Sequence, residues 1–281
     1  MIWRLKKALY GPKQAGKEWH DKINAFFTDY GFSATREDAC VYDLLDIPVV
    51  VLLYVDDILI EYAVPVAMSK LVEALRAKYD VTYLGDITWF LGMRNKVDNE
   101  INITTIDQFP FATKILYRFV MRNCKPSALP LNSGCFLALG DEKNELADHI
   151  PYQVAVGDLL YLSNVSRPAV SVAVKQVAVH VNRPTVYAIK QILRDVTGAL
   201  RMTLVYKRDE RAAAAMLLTD ADRTNNTENR NSISGFVVRA YGCAVAWITW
   251  HQCVVAKSSL SAEFIAASIE IEEARWTRML L

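Results

Sequence analysis

The sequence predicts an α+β chain, and three observations carry that expectation. Apolar residues recur at helical spacing over 15–30, over 66–79 and again beyond 150, while β-branched stretches with tight polar turns lie between and after them. The longest apolar run, 47–55, contains a proline and is far shorter than the ~20 residues that a membrane-spanning helix needs. No membrane span is expected. With 281 residues, 52% of them hydrophobic and 22% charged, the chain can bury one large core or two ordinary ones, which excludes wholesale disorder and collagen-like sequence.

Taken in order, Trp19, Ile23, Phe26 and Phe27 share one helical face that Gly31 brings to a stop. The apolar stretch 49–55, rich in β-branched residues, then Asp56-Asp57 and Ile58-Leu59-Ile60 read as a hairpin with a tight acidic turn. Helical spacing returns through Met68, Leu71, Val72 and Leu75. Two short strands follow within 89–106 around Asp98-Asn99-Glu100, then a helix over 107–122. Pro126, Pro130, Gly134 and Gly140 break every period in 123–150, which sets the first boundary. Helices are expected over 152–162, over 167–182 with Pro168 at its start, and over 185–197 up to Gly198. Strands at 216–219, 235–241 and 244–248 precede a final helix from about residue 259. The expected organisation is therefore 1–122, a linker 123–150, a helical segment 151–207 and a last α/β part 208–281.

A net charge of +1, from 32 basic and 31 acidic residues, leaves any nucleic-acid contact to local patches. Arg4, Lys6, Lys7, Lys13, Lys17 and Lys22 interleave with Trp3, Tyr10 and Trp19. Lys114, Arg118, Arg122 and Lys125 lie near Phe111, Tyr117 and Phe119. Both patterns also fit ordinary solvated helix faces. The 5 cysteines (Cys40, Cys124, Cys135, Cys243, Cys253) form an odd set without a C-x-x-C pair, so they read as reduced packing residues. The opening Met-Ile-Trp-Arg-Leu-Lys-Lys lacks the apolar stretch of a signal peptide, and an intracellular location, cytoplasmic or nuclear, is expected.

Tyr54-Val55-Asp56-Asp57 places two adjacent carboxylates at the end of an apolar strand, where they repel each other unless water or a cation compensates. A hard divalent cation takes carboxylate and phosphate oxygens together, as phosphoryl transfer requires. A plain polar turn is the other reading of the same four residues.

The surrounding motifs add a resemblance. Leu5-Lys6-Lys7-Ala8-Leu9-Tyr10-Gly11-Pro12-Lys13-Gln14-Ala15, then Tyr54-Val55-Asp56-Asp57, then Phe90-Leu91-Gly92-Met93 follow the order found in reverse transcriptases of Ty1/copia-type retrotransposons. Tyr152-Gln153-Val154-Ala155-Val156-Gly157-Asp158-Leu159-Leu160-Tyr161-Leu162-Ser163, with Ser166-Arg167-Pro168 and Ile189-Lys190-Gln191-Ile192-Leu193-Arg194, resembles that family's connection segment. Thr219-Asp220-Ala221-Asp222, Ser232-Ile233-Ser234-Gly235-Phe236 and Ser258-Ser259-Leu260-Ser261-Ala262-Glu263-Phe264 are similar to its ribonuclease H domain.

The resemblance implies a partial palm and thumb, a helical connection and a truncated ribonuclease H-like α/β domain. It implies that Asp56 and Asp57 hold Mg²⁺ or Mn²⁺, that Tyr10, Gly11, Lys13 and Gln14 line a nucleotide pocket, and that Phe90, Leu91 and Gly92 form a primer grip. Asp220 and Glu263 match two members of the acidic metal-binding set of ribonuclease H, with Asp222 a secondary candidate. Glu270, Glu272 and Glu273 read as a solvated helix face. The implied partners are an RNA template, a DNA primer, an RNA–DNA hybrid and dNTPs.

Departures from the pattern are Pro12, Gly16-Lys17 and Arg223-Thr224-Asn225. The family's first polymerase aspartate lies upstream of Leu5, and its remaining ribonuclease H aspartates lie beyond Leu281. Both sites are therefore expected to be incomplete and unaided catalysis absent, leaving a non-catalytic nucleic-acid-binding or assembly module as the alternative. Sheets cut at both ends are expected to leave edges that favour self-association.

Overall fold

A computed structural model describes residues 9, 11–131, 151–179, 186–222 and 231–280, and the chain divides into two compact units, 1–85 and 86–281. In the first unit helix α1 (Lys13–Tyr30) ends where Gly31 takes φ 108°, a left-handed conformation that costs glycine little. The Gly31 amide donates back to the Phe27 and Thr28 carbonyls and closes the helix. The start falls two residues before the expected one because Pro12 serves as a cap, its carbonyl accepting from the Ala15 amide.

Four antiparallel strands follow in the order β1 (Ser33–Ala34), β2 (Val41–Asp43), β3 (Val49–Tyr54) and β4 (Asp57–Tyr62), with helix α2 (Pro65–Lys78) after them. Alternation along β3 turns Val49, Val51 and Leu53 inward. They share a core with Ile23, Phe26 and Phe27 of α1, Tyr42 of β2, and Leu71 and Leu75 of α2.

The second unit begins with a sheet of β5 (Trp89–Phe90), β6 (Met93–Asp98), β7 (Ile103–Asp107) and, from far along the chain, β8 (Leu204–Tyr206). Helices α3 (Phe109–Arg118), α4 (Tyr152–Val165), α5 (Ser171–Val179) and α6 (Val186–Gly198) contribute Ile115, Leu159, Val174 and Ile192 to one apolar core. The helix expected over 107–122 is shorter, and Val120 beyond it takes φ 56°. The helix expected from 167 is split, because Pro168–Val170 form a 3-10 turn before α5.

Residues 123–131 lie strapped along α6. The Ser127 amide donates to Arg194 O, Arg194 Nε to Lys125 O, and Gln191 Nε2 to Ser127 Oγ and Leu129 O. Gly134, Gly140 and the rest of the expected linker to 150, with 180–185, lie outside the described residues.

Arg167 is 3% exposed at the 3-10 turn, and its guanidinium donates to Ala199 O and Leu200 O just past α6. Burial pulls its pKa down, while Asp107 and Asp195 oppose that shift. Burial likewise raises the Asp195 carboxyl, against the pull of Arg167.

A three-stranded antiparallel sheet, β9 (Ala215–Asp222), β10 (Ile233–Ala240) and β11 (Cys243–His251), carries the last helix, α7 (Ser259–Leu280). Ala221, Ala256, Ala262 and Ala266 form a core there, small enough for helix and sheet to approach closely. Gln252 Nε2 ties them further by donating to Ser234 Oγ and Ala262 O. Cys40, Cys124 and Cys243 are half-buried, whereas Cys253 is exposed, which corrects the packing role expected of it; Cys135 is not among the described residues. Among the described residues no helix is long and apolar enough to cross a membrane.

Candidate functional site

Strands β3 and β4 pair from Val49 with Tyr62 to Tyr54 with Asp57, so the connecting turn holds two residues, Val55 and Asp56. The acidic turn is thus displaced by one from the expected position: Asp56 sits in the turn and Asp57 opens β4. Val55 takes φ 53°, an outlier for a β-branched residue and a strain of ~1–3 kcal/mol. The Trp19 indole Nε1 of α1 donates to the Val55 carbonyl at 2.7 Å. That ring stands edge-on to Tyr79 at 5.6 Å, and Lys22 Nζ lies over the Tyr79 ring, 5.5 Å from its centroid. One aromatic residue of the first basic segment therefore pins the acidic turn.

Both aspartates are exposed. Two adjacent carboxylates offer hard oxygen donors, a set that fits Mg²⁺, which is held by one or two protein carboxylates with water and phosphate oxygens completing the shell. Trp19→Phe removes the hydrogen bond and keeps an aromatic, if smaller, ring. It is expected to speed amide exchange at 55–57 by roughly fivefold, the worth of one hydrogen bond, with exchange elsewhere in 11–85 unchanged. Equal exchange in both proteins would show that the indole does not hold the turn.

Of the segment matched to the nucleotide pocket, Gly11 is exposed with φ 115° and Gln14 is exposed in the first turn of α1. Tyr10 and the side chain of Lys13 lie outside the described residues, as do Trp3, Arg4, Lys6 and Lys7.

In the second unit Phe90 pairs with Met93 across a two-residue turn in which Leu91 (φ 48°) and Gly92 (φ 74°) are both left-handed. This geometry matches the twist of a hairpin. The Tyr161 hydroxyl of α4 donates to Leu91 O at 2.8 Å, and the Tyr161 ring meets Phe111 edge-on at 4.9 Å.

On β9, Asp220 and Asp222 occupy alternate, exposed positions, and Ala221 between them belongs to the core shared with Ala262 and Ala266. The two aspartates thus share the face opposite Ala221. Asp220 has Gly235 and then Thr249 beside it in register, and lines an open cleft of about 430 Å³ with Trp247 and Pro168. Glu263 is half-buried next to Ala262 on α7. Among the described residues no three acidic, histidine or cysteine side chains gather as a metal-holding group.

Glu270 corrects an expectation. Placed on a solvated face by its sequence neighbours, it is fully buried, and neither carboxyl oxygen has a hydrogen-bond partner among the described residues. Burial first, and the like charge of Glu263 second, push its carboxyl up to about 7. Glu272 is exposed as expected, and Glu273 is half-buried. The missed signal is the spacing of Ala262, Ala266 and Glu270, which continues a small-residue stripe by one more turn.

In the second basic segment Lys114, Arg118, Arg122 and Lys125 are all exposed, with Arg122 stacked 4.6 Å from the Tyr117 centroid and Arg118 paired with Asp158. Phe119 is not available for stacking with them, since it lies in the core.

Comparison with known proteins accords with the motifs. Residues 1–133 match the family described as reverse transcriptase (RNA-dependent DNA polymerase). Over its full length the chain is 31% identical to the retrovirus-related Pol polyprotein from transposon TNT 1-94 of Nicotiana tabacum, covering 22% of that protein. It is 28% identical, again over its full length, to the one from transposon RE2 of Arabidopsis thaliana, covering 19%. Over 97% of the chain it is 26% identical to the putative transposon Ty5-1 protein of Saccharomyces cerevisiae, 89% of which is covered. No solved structure matches. The class that these similarities define is the reverse transcriptase, matched by residues 1–133. Over its full length the chain is similar to retrotransposon Pol polyproteins, and it spans about a fifth of the length of the two plant polyproteins above.

Proposed function

We propose that the chain is the part of a retrotransposon Pol polyprotein that combines a reverse-transcriptase palm and thumb, a helical connection and a ribonuclease H-like part. It would act on an RNA template with a DNA primer. The observation that carries this reading is the hairpin with Asp56 in its turn and Asp57 at the start of β4, both open to solvent and fixed through Trp19. These carboxylates would hold Mg²⁺ or Mn²⁺, which supplies charge stabilisation at the phosphates of the incoming dNTP when bound. Gly11 and Gln14, with Tyr10 and Lys13, would border the nucleotide, and Phe90, Leu91 and Gly92 would support the primer strand. Asp220 and Glu263 belong to the ribonuclease H-like part, with Asp222 secondary.

Two carboxylates at the hairpin are fewer than a two-metal site uses, and each absent one removes several kcal/mol of electrostatic stabilisation, of the order that single donors supply. Unaided turnover is therefore not expected. Primer extension on an RNA template with dNTPs and Mg²⁺ or Mn²⁺, beside Asp56→Asn/Asp57→Asn, tests this. No extension by folded protein is the expected result, and extension that the double variant abolishes would show a complete site.

Binding without turnover is the second reading, favoured by Lys114, Arg122 and Lys125 exposed around Tyr117. Affinity for an RNA–DNA hybrid should fall steeply between 50 and 200 mM salt, and Lys114→Ala/Lys125→Ala should flatten that slope by about two units on a log–log plot. An unchanged slope would remove those residues from the interface. The edge of β9 offers a route for self-association, which light scattering at several concentrations would read directly.

A further inference from the structure

We propose that Tyr161 of the connection helix α4 is a positioning residue for the primer terminus, acting through the Phe90-Leu91-Gly92 turn. This rests on reading that turn as a primer grip.

Both residues of this turn are left-handed, and Leu91 carries a conformational strain that Gly92 does not, so a contact that holds Leu91 bears directly on the shape of the turn. The Leu91 carbonyl accepts the Tyr161 hydroxyl at 2.8 Å. The same oxygen crowds the other turn residue: a Cβ on Gly92 would stand 2.6 Å from it, with the ring carbon next at 3.7 Å. One hydroxyl thus fixes one turn residue by a hydrogen bond and requires the next to lack a side chain. Its own position is set by the edge-on contact of the Tyr161 ring with Phe111 at the start of α3. The turn is consequently tied to α3 and α4 as well as to the pairing of β6 with β5, which is only two residues long.

A backbone turn supports a strand terminus by where its peptide groups point, so loosening it should reduce discrimination for a recessed 3′ end and leave the general attraction for phosphates alone. The test uses the full chain and fluorescence anisotropy with two probes. One is a labelled DNA primer on a longer RNA template, and the other is a blunt RNA–DNA hybrid of the same duplex length. The wild type is expected to prefer the recessed end. Tyr161→Phe is expected to lose that preference by about fivefold, the worth of one hydrogen bond, with unchanged affinity for the blunt hybrid and an unchanged melting temperature. Gly92→Ala, which disturbs the contact from the turn side, is expected to lose it as well.

If Tyr161→Phe melts like the wild type and keeps the preference, or if Gly92→Ala keeps it, the role of Tyr161 is overturned while the primer grip stands. If the wild type itself does not distinguish the two probes, the primer-grip reading is overturned, and the inference falls with it.

Discussion

Replacing Arg167 by methionine is expected to destabilise the second unit by about 3 kcal/mol, in the range observed when one partner of a buried charged network is removed. The guanidinium is 3% exposed, and just past the end of α6 its donors reach the Leu200 carbonyl and the Ala199 carbonyl, the latter also accepting from the Met202 amide. Methionine fills the volume but cannot donate, and it withdraws the positive charge that opposes the upward shift of the half-buried Asp195. Two penalties therefore add. The loss should shrink as pH is lowered and Asp195 takes a proton. Lysine is expected to recover only part of it, because one ammonium does not reproduce the fork that reaches two carbonyls. Amide exchange in α4 and α6 is the measurement, with roughly a hundredfold acceleration expected in the methionine variant. Protection equal to that of the wild type would show that water takes over both carbonyls without loss.

Most of the helices were legible because each buries one face at a regular spacing. Ile23, Phe26 and Phe27 mark α1, and Gly31 marks its end for a reason that its φ of 108° makes plain. The hairpin at Asp56 was legible because β3 is an unbroken apolar run, rich in valine, that a polar pair interrupts. What the sequence did not signal is short or assembled across distance. Strands β1 and β8 have two and three residues, too few for any alternation, and β8 exists only because β7 offers it an edge. The 123–131 segment looked like a linker for its prolines, yet its backbone is bound to Arg194 and Gln191 of α6.

The candidate site was legible as motifs and not as geometry. Adjacent aspartates could be seen, but which of them occupies the turn depends on the β3–β4 register, and that register puts Val55 in the strained position. Trp19 looked like an interleaved aromatic of a basic segment, and only the folded unit shows its indole on the Val55 carbonyl. Tyr161 stood within a recognised motif that gave no hint of its hydroxyl reaching Leu91. Residues that position a site through hydrogen bonds to backbone leave little trace in sequence, since any turn offers a carbonyl.

Glu270→Gln is expected to stabilise the protein at neutral pH by on the order of 2 kcal/mol and to flatten the pH dependence of its stability. The carboxyl lies on the buried stripe of α7 with Ala262 and Ala266, and neither oxygen has a partner among the described residues. By alternation from Ala221 and its register partner Ser234, the sheet residues on the α7 side include Leu217, Thr219, Phe236 and Val238, none of which carries a charge. The charge acting on it is that of Glu263, of like sign, and burial adds to the effect. Its folded pKa of about 7 stands above the ordinary 4.5, so between those values the folded chain keeps a proton that the unfolded chain releases. Stability is therefore undiminished below pH 4.5, falls as pH rises through the window, and levels off above pH 7. Glutamine has no proton to lose and should show none of that fall. Urea unfolding at pH 4.5, 6 and 7.5 would read the two curves converging at the acid end and parting by neutrality. Parallel curves, or a glutamine variant weaker at pH 7.5, would mean that Glu270 finds a cation or water that its packing against β9 does not display.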